Sequence, residues 1–512
     1  MKRSDWLLAT ALAVVAFASR VAFRYGDGFG DNNVIHMAVG MARSVAFETS
    51  FGDSLEYGKN FSLGVYLAFR ALYPPFFDGA GAVISVLNWT GLAGGLLLYP
   101  ALYAVYRMSL SQRAATYACV LVMSAPVVWE NETSFQPISL ALGALLLCVL
   151  AFRAAALGRT RLPLSVLLAL AALSLRAEVA LLAPALLLWA AQQGGRQRLL
   201  RAASVFVAAA LLLALLLLLV GSDASTRGAT PGEYVTRYFR AFVRGGAVAR
   251  NLLWASLGIG LVNLGLCLAL WTDRLRHRPS TPALRDLLVP SVAALSVLVF
   301  WISNSVPLVR HFYLMLPPMA WMIGRTTFGH RRAGLWLAAA VILNLALPEL
   351  IYAGVDRLSA GEEKVAHGSF FSAHAAQSAK VRRARAFATA AADRLGELER
   401  QHDANSPPIK IAMPINWILN GYLEHELILR GVRLRETHSN RLDADLTIRE
   451  FVAGSVRIRQ IRSNWSAEPA IAQALRRSVT RAADEGWELW IPHEFAPALQ
   501  GDGTAASRAL RL

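Results

Sequence analysis

The feature that most constrains this chain is the spacing of its charges. From Trp6 to Ile351, apolar runs recur with arginines confined largely to the short segments between them. The runs are about 17 to 22 residues long, the length needed to cross a hydrocarbon layer of about 30 Å. Of the 512 residues 55% are apolar and only 17% charged, whereas a soluble domain carries about a quarter charged residues. The chain therefore reads as a polytopic membrane protein. A net charge of +17 would suit nucleic acid in a soluble protein, but arginines in short loops report membrane orientation instead, and no nucleic-acid partner is expected. Cys119, Cys148 and Cys267 all fall inside apolar runs, so no disulfide framework is implied. Met1 to Phe23 begins basic and turns apolar like a signal peptide. Arg20 and Arg24 stand where small residues would mark cleavage, so this is a retained first span.

Eleven candidate spans lie near 6–23, 82–106, 114–129, 136–153, 162–175, 178–192, 202–220, 252–271, 287–303, 311–325 and 333–351. With Lys2 and Arg3 holding the N-terminus in the cytoplasm, the odd number places residues after Val355 outside. The arginines agree. Loops assigned inside carry Arg107 and Arg113, Arg153 to Arg161, Arg196 to Arg201, Arg274 to Arg285, and Arg325 to Arg332, while the short outer loops carry only Arg176 and Arg310. That asymmetry is what the positive-inside rule demands. Residues 162–192 are short for two spans, about 20 Å each at 1.5 Å per residue. As a single tilted helix they would leave Arg176 and Glu178 in mid-bilayer at a cost of several kcal/mol, so a hairpin with a wet tip is expected.

Two domains follow: a polytopic domain over 1–354, whose first outer loop spans 24–81, and a soluble periplasmic α/β domain over 355–512. Within the loop, 33–46 is helical, and 59–74 reads as an interfacial helix interrupted by Arg70 and stopped by Pro74 and Pro75; 234–243 has a similar pattern. Residues 372–402 form a soluble helix. Apolar runs at 410–414, 444–448 and 488–492 alternate with helical patterns at 415–430 and 467–484, which predicts a small parallel sheet.

Chemistry is sought in the first outer loop, where Asp27, Asp31, His36, Glu56 and Lys59 cluster. Asp31 follows Gly-Asp-Gly-Phe-Gly, whose glycines let backbone approach a ligand, and precedes a helix, where Asp is also a preferred N-cap. His36 lies about one turn along that helix, within reach of Asp31 or simply at the surface. Lys59 suits a phosphate or a lipid headgroup. Arg176 and Glu178 form either a structural ion pair or part of a ligand site. Arg310 and His311 open a late span, where an arginine also snorkels to lipid phosphate. Glu130 and Glu132 are expected in a solvated outer loop. No phosphate-binding glycine loop, zinc-protease motif or Cys/His cluster occurs, and Asp443 and Asp445 sit in a predicted strand.

Together these residues resemble the GT-C superfamily, polytopic glycosyltransferases that use lipid-phosphate-linked sugars, in particular those like dolichyl-phosphate-mannose-protein mannosyltransferases and aminoarabinose transferases. The resemblance covers roughly residues 1–350. It rests on the order of loose motifs: a first span, an acid opening the outer loop at Asp31, interfacial helices at 33–46 and 59–74, Arg-x-Glu at Arg176 and Glu178, and an Arg-aromatic-apolar-Pro run from Arg310 to Pro317. It implies a membrane all-α bundle of about 11 transmembrane helices with a small C-terminal α/β extracytoplasmic domain. The implied activity is inverting transfer of a hexose or pentose from a polyprenyl-phosphate donor to an envelope lipid, glycan or protein, on the outer face of the bacterial inner membrane. Asp31 would be the catalytic base, with Lys59, Arg176, Glu178, Arg310, His311 and His36 binding substrate. Family members carry a pair of acids where this chain has Asp31 and Asn32, so no cofactor is expected, and a two-carboxylate mechanism or a divalent metal site, though compatible with phosphate chemistry, is not supported. The competing readings are a polytopic transporter or lipid flippase, for which no inverted repeat is visible, and a non-catalytic scaffold with the same fold.

Overall fold

The computed structural model describes residues 2–22, 32–47, 62–76, 82–133, 137–220, 248, 251–252, 255–256, 258–276, 281–302, 309–326, 332–358, 371–401, 411–413, 417–432, 437–439, 446–450, 478–483 and 487–492. The chain divides into two compact units, neither continuous in sequence. One comprises 1–27, 61–72 and 85–377; the other comprises 28–60, 73–84 and 378–512. A single boundary at 354/355 therefore does not separate them, because part of the first outer loop groups with the C-terminal residues.

The first unit is helical. Its elements begin with α1 (Arg3–Ala22), and after the intervening α2 (Asn32–Ala46) of the other unit come α3 (Leu63–Phe76), α4 (Val83–Tyr106), α5 (Gln112–Ser124), α6 (Pro126–Thr133), α7 (Ile138–Ala156) and α8 (Leu162–Leu175). A 3-10 turn (Ala177–Leu182) leads into α9 (Ala183–Leu219), and α10 (Leu261–Arg276) and α11 (Thr281–Ile302) follow. A second 3-10 turn (Val309–Met315), α12 (Leu316–Thr326) and α13 (Ala333–Leu358) complete the series. Among the described residues four helices are long and apolar enough to cross a membrane, and three shorter apolar stretches accompany them. Leucines at 211, 215, 218 and 219 on α9, with Leu335, Ile342 and Leu350 on α13, are exposed. Large apolar side chains exposed in this number are tolerable in lipid and a liability in water. The molecule is a multi-pass membrane protein.

Two expected spans are interrupted for identifiable reasons. Residues 114–129 are two helices, because the N–H that Pro126 lacks is dispensable only in a first helical turn; α6 accordingly starts at Pro126. The spans expected at 178–192 and 202–220 follow one another as α9, and the break between them falls at Gly194 and Gly195, the latter at φ 64°, a left-handed conformation that glycine adopts without strain. Residues 311–325 enter as a 3-10 turn before α12, whose Pro317 and Pro318 occupy the first turn. Conversely, α3 is not stopped by Pro74 and Pro75 but includes both in its last turn.

The second unit contains α2, the greater part of α14 (Phe371–Gln401), and α15 (Trp417–Leu429), together with a five-stranded sheet. The strands are β1 (Ile411–Met413), β2 (Thr437–Ser439), β3 (Leu446–Glu450), β4 (Ser478–Ala483) and β5 (Trp487–Pro492), in the order β2-β1-β3-β5-β4. β1 pairs in parallel with β2 and β3, whereas β5 is antiparallel to both β3 and β4. The sheet is thus mixed rather than parallel. Residues 478–483, expected at the end of a helix, form an edge strand, because pairing with β5 outweighs local helical preference. α15 packs on α2, where a Cβ at Gly421 would collide with the Ile35 side chain. Arg430 fastens α15 to α14 through Asp393 at 2.8 Å and anchors to its own helix through Glu426 at 2.7 Å.

Candidate functional site

α8 ends where Arg176 turns extended (φ −154°, ψ 112°) while its N–H still donates to the Ala172 carbonyl at 3.0 Å. One extended residue is enough to stop a helix. The 3-10 turn that follows carries Glu178, whose Oε2 lies 3.2 Å from Arg176 Nε. The guanidinium is 8% exposed and the carboxylate 21%, so the pair is shielded from bulk water without being sealed. The expected hairpin break and the pairing of Arg176 with Glu178 are both present. The first helical turn of α3 lies against this corner: a Cβ on Gly64 would come within 2.8 Å of the Ser174 carbonyl carbon. Glycine at position 64 is what lets the outer-loop helix meet the end of α8, two residues from Arg176.

Arg310 and His311 lie in the second 3-10 turn. Both 3-10 turns pack against α11, so the segments bearing Arg176 and Arg310 share one neighbour. The second turn is held from beneath by Tyr313, which is fully buried. Its hydroxyl lies 3.1 Å from Ser139 Oγ and 3.5 Å from Glu132 Oε1.

Glu132 anchors the larger arrangement. It is 1% exposed on α6, not in a solvated loop as the sequence suggested. Arg20, at the end of α1, donates from Nε to Glu132 Oε2 at 2.8 Å and from Nη2 to the Met123 carbonyl at 2.8 Å. Its guanidinium carbon sits 3.8 Å from the centroid of a Trp129 ring, a cation–π contact strengthened by the absence of water. Tyr99 of α4 donates to Glu132 at 3.3 Å and Ser139 of α7 at 3.4 Å. With a carboxylate offering about four acceptor sites, Glu132 is saturated. It is suited to holding elements in place and unsuited to taking a proton from a substrate. Sequence reasoning missed this hub; the available signal was the helical spacing that puts Trp129 and Glu132 on one face of α6, next to a first span ending in arginine.

The remaining candidates divide by position. Asp31 and Lys59 lie outside the described residues, as do Asp27, Glu56 and 234–243. α2 starts at Asn32, directly after Asp31, and carries His36 about one turn in.

A crystal structure of ArnT from Cupriavidus metallidurans bound to undecaprenyl phosphate aligns over 96% of this chain and 98% of its own, with a TM-score of 0.54 at 16% sequence identity. The apo-state structure of the same protein aligns over 95% of this chain and 98% of its own, with a TM-score of 0.46 at 14% identity. No protein-family model matches the chain, and no curated protein matches it in sequence.

Proposed function

We propose that this chain is an integral membrane glycosyltransferase of the GT-C type, moving a hexose or pentose from a polyprenyl-phosphate carrier to an envelope acceptor on the outer face of a bacterial inner membrane. The observation that carries this reading is the near full-length likeness in fold to a structure that holds undecaprenyl phosphate. The arrangement of Arg176 and the Arg310-bearing turn around α11 supports it.

In this reading Asp31 deprotonates the acceptor hydroxyl as the new glycosidic bond forms with inversion, a general-base role. The bond from the anomeric carbon to the phosphate oxygen breaks, and polyprenyl phosphate leaves with the electron pair. Its developing charge calls for cations fixed in advance; Lys59, Arg176 and Arg310 are assigned that task, with His311 and His36 contacting substrate. Glu178 orients Arg176 and tempers its charge so that the product anion can leave. One carboxylate suffices for this chemistry, since Asn32 follows Asp31.

The test supplies purified, reconstituted protein with polyprenyl-phosphate-linked sugars and an extract of envelope acceptors. Release of free polyprenyl phosphate that requires acceptor supports the proposal. Lipid-linked sugar that crosses the vesicle bilayer without bond cleavage would identify a flippase instead.

A further inference from the structure

Away from the Arg20–Glu132 hub and from every residue assigned to transfer, α4, α7, α9, α11 and α12 line a half-open cavity of about 280 Å³. Its deep walls are apolar, formed by Leu102, Leu142, Leu146, Leu186, Val289 and Ala293. Its mouth is polar, with Arg153 at the end of α7, Arg325 at the end of α12, and Gln193 at the break in α9. Both arginines are exposed. Arg325 is stationed there by its position 5.6 Å from the Trp321 ring centroid and by donation to the Ser109 carbonyl at 3.4 Å; Trp321 in turn donates to Ser109 Oγ at 2.7 Å.

The dimensions identify the occupant. From Leu142 to Arg153, α7 rises about 16 Å at 1.5 Å per residue, roughly half of a 30 Å hydrocarbon core. The cavity is therefore one leaflet deep, apolar where tails lie and cationic where phosphates lie. A free phosphate would meet only the rim. A neutral hydrocarbon would bring the arginines no anion, and an unfilled void forfeits the dispersion contacts of its lining.

We propose that this cavity binds an anionic phospholipid from the leaflet on the arginine-rich face, the cytoplasmic one by charge distribution, with Arg153 and Arg325 on its phosphate and an acyl chain between α7 and α11. The site needs only the fold, and stands whether or not the transfer chemistry above is correct.

Native mass spectrometry of the purified full-length protein, titrated with dioleoylphosphatidylglycerol, dioleoylphosphatidylcholine or glycerol phosphate, tests it. Phosphatidylglycerol should bind in preference to phosphatidylcholine, and glycerol phosphate should not displace it. Arg153→Gln and Arg325→Gln should each weaken the phosphatidylglycerol complex about fivefold, taking the contribution of one arginine near a lipid surface, and weaken the phosphatidylcholine complex less, because choline already offsets the charge of its phosphate. Ala293→Phe should exclude both lipids; Leu146→Phe fills the same space from a half-buried position if the first variant misfolds. Phosphatidylglycerol binding that survives the arginine and cavity-filling changes, or displacement by glycerol phosphate alone, would overturn the proposal.

Discussion

Arg20 and Glu132 lie 112 positions apart in the chain, yet Nε of one is 2.8 Å from Oε2 of the other, and both side chains are 1% exposed. The contact ties the last turn of α1, from which the first outer loop departs, to α6. Through Tyr313 the same carboxylate supports the turn bearing Arg310. Two segments named for the transfer site are thereby braced on one buried ion pair.

Breaking that pair from one side leaves a buried charge without its counterpart. Glu132→Gln should destabilise the protein by about 3–5 kcal/mol, read as a fall in the unfolding midpoint in detergent. Combining it with Arg20→Met should recover part of the loss, because no charge then remains buried. A double variant less stable than Glu132→Gln alone contradicts this.

Tyr313→Phe removes a hydroxyl and leaves the ring in place. A loss of about 1 kcal/mol is expected, typical of a single hydrogen bond. Turnover should fall further than this loss of stability accounts for, because the turn carrying Arg310 is no longer braced. Equal turnover in wild type and variant would detach the brace from function.

Gly64→Ala places a Cβ within 2.8 Å of the Ser174 carbonyl carbon. Overpacking of this kind costs about 1–3 kcal/mol, and here it displaces the start of α3 from the corner at Arg176. Ser174→Ala should not rescue the variant, since the clash includes backbone. Full rescue would show that the serine hydroxyl alone sets the spacing.

In the second unit, Gly421→Ala should loosen the packing of α15 on α2, and Ile35→Ala in the same chain should restore part of it by removing the methyl that the new Cβ meets. Limited proteolysis within α2 reports the change. Cleavage unaltered by Gly421→Ala would mean that the two helices part without consequence.

Much of the bundle is legible in the sequence, because in lipid apolar length alone specifies a helix. α8 spans Leu162–Leu175, the residues expected, and ends at Arg176 because a charged pair is costly in mid-bilayer. α4, α7 and α14 also fall within a few residues of expectation. What escaped depends on partners distant in sequence. Glu132 looks solvated until Arg20, Tyr99 and Tyr313 surround it, and β4 looks helical until β5 pairs with it. The interruption at Pro126 was readable in principle, since proline begins helices more readily than it continues them, but the apolar run across it masked the break.

The most direct measurement is the rate at which purified, reconstituted protein releases polyprenyl phosphate in the presence of acceptor, for wild type against Asp31→Asn. Loss of a general base slows transfer about 10²- to 10⁴-fold, and the account predicts a fall in that range with donor binding retained. Equal rates in the two proteins would contradict it.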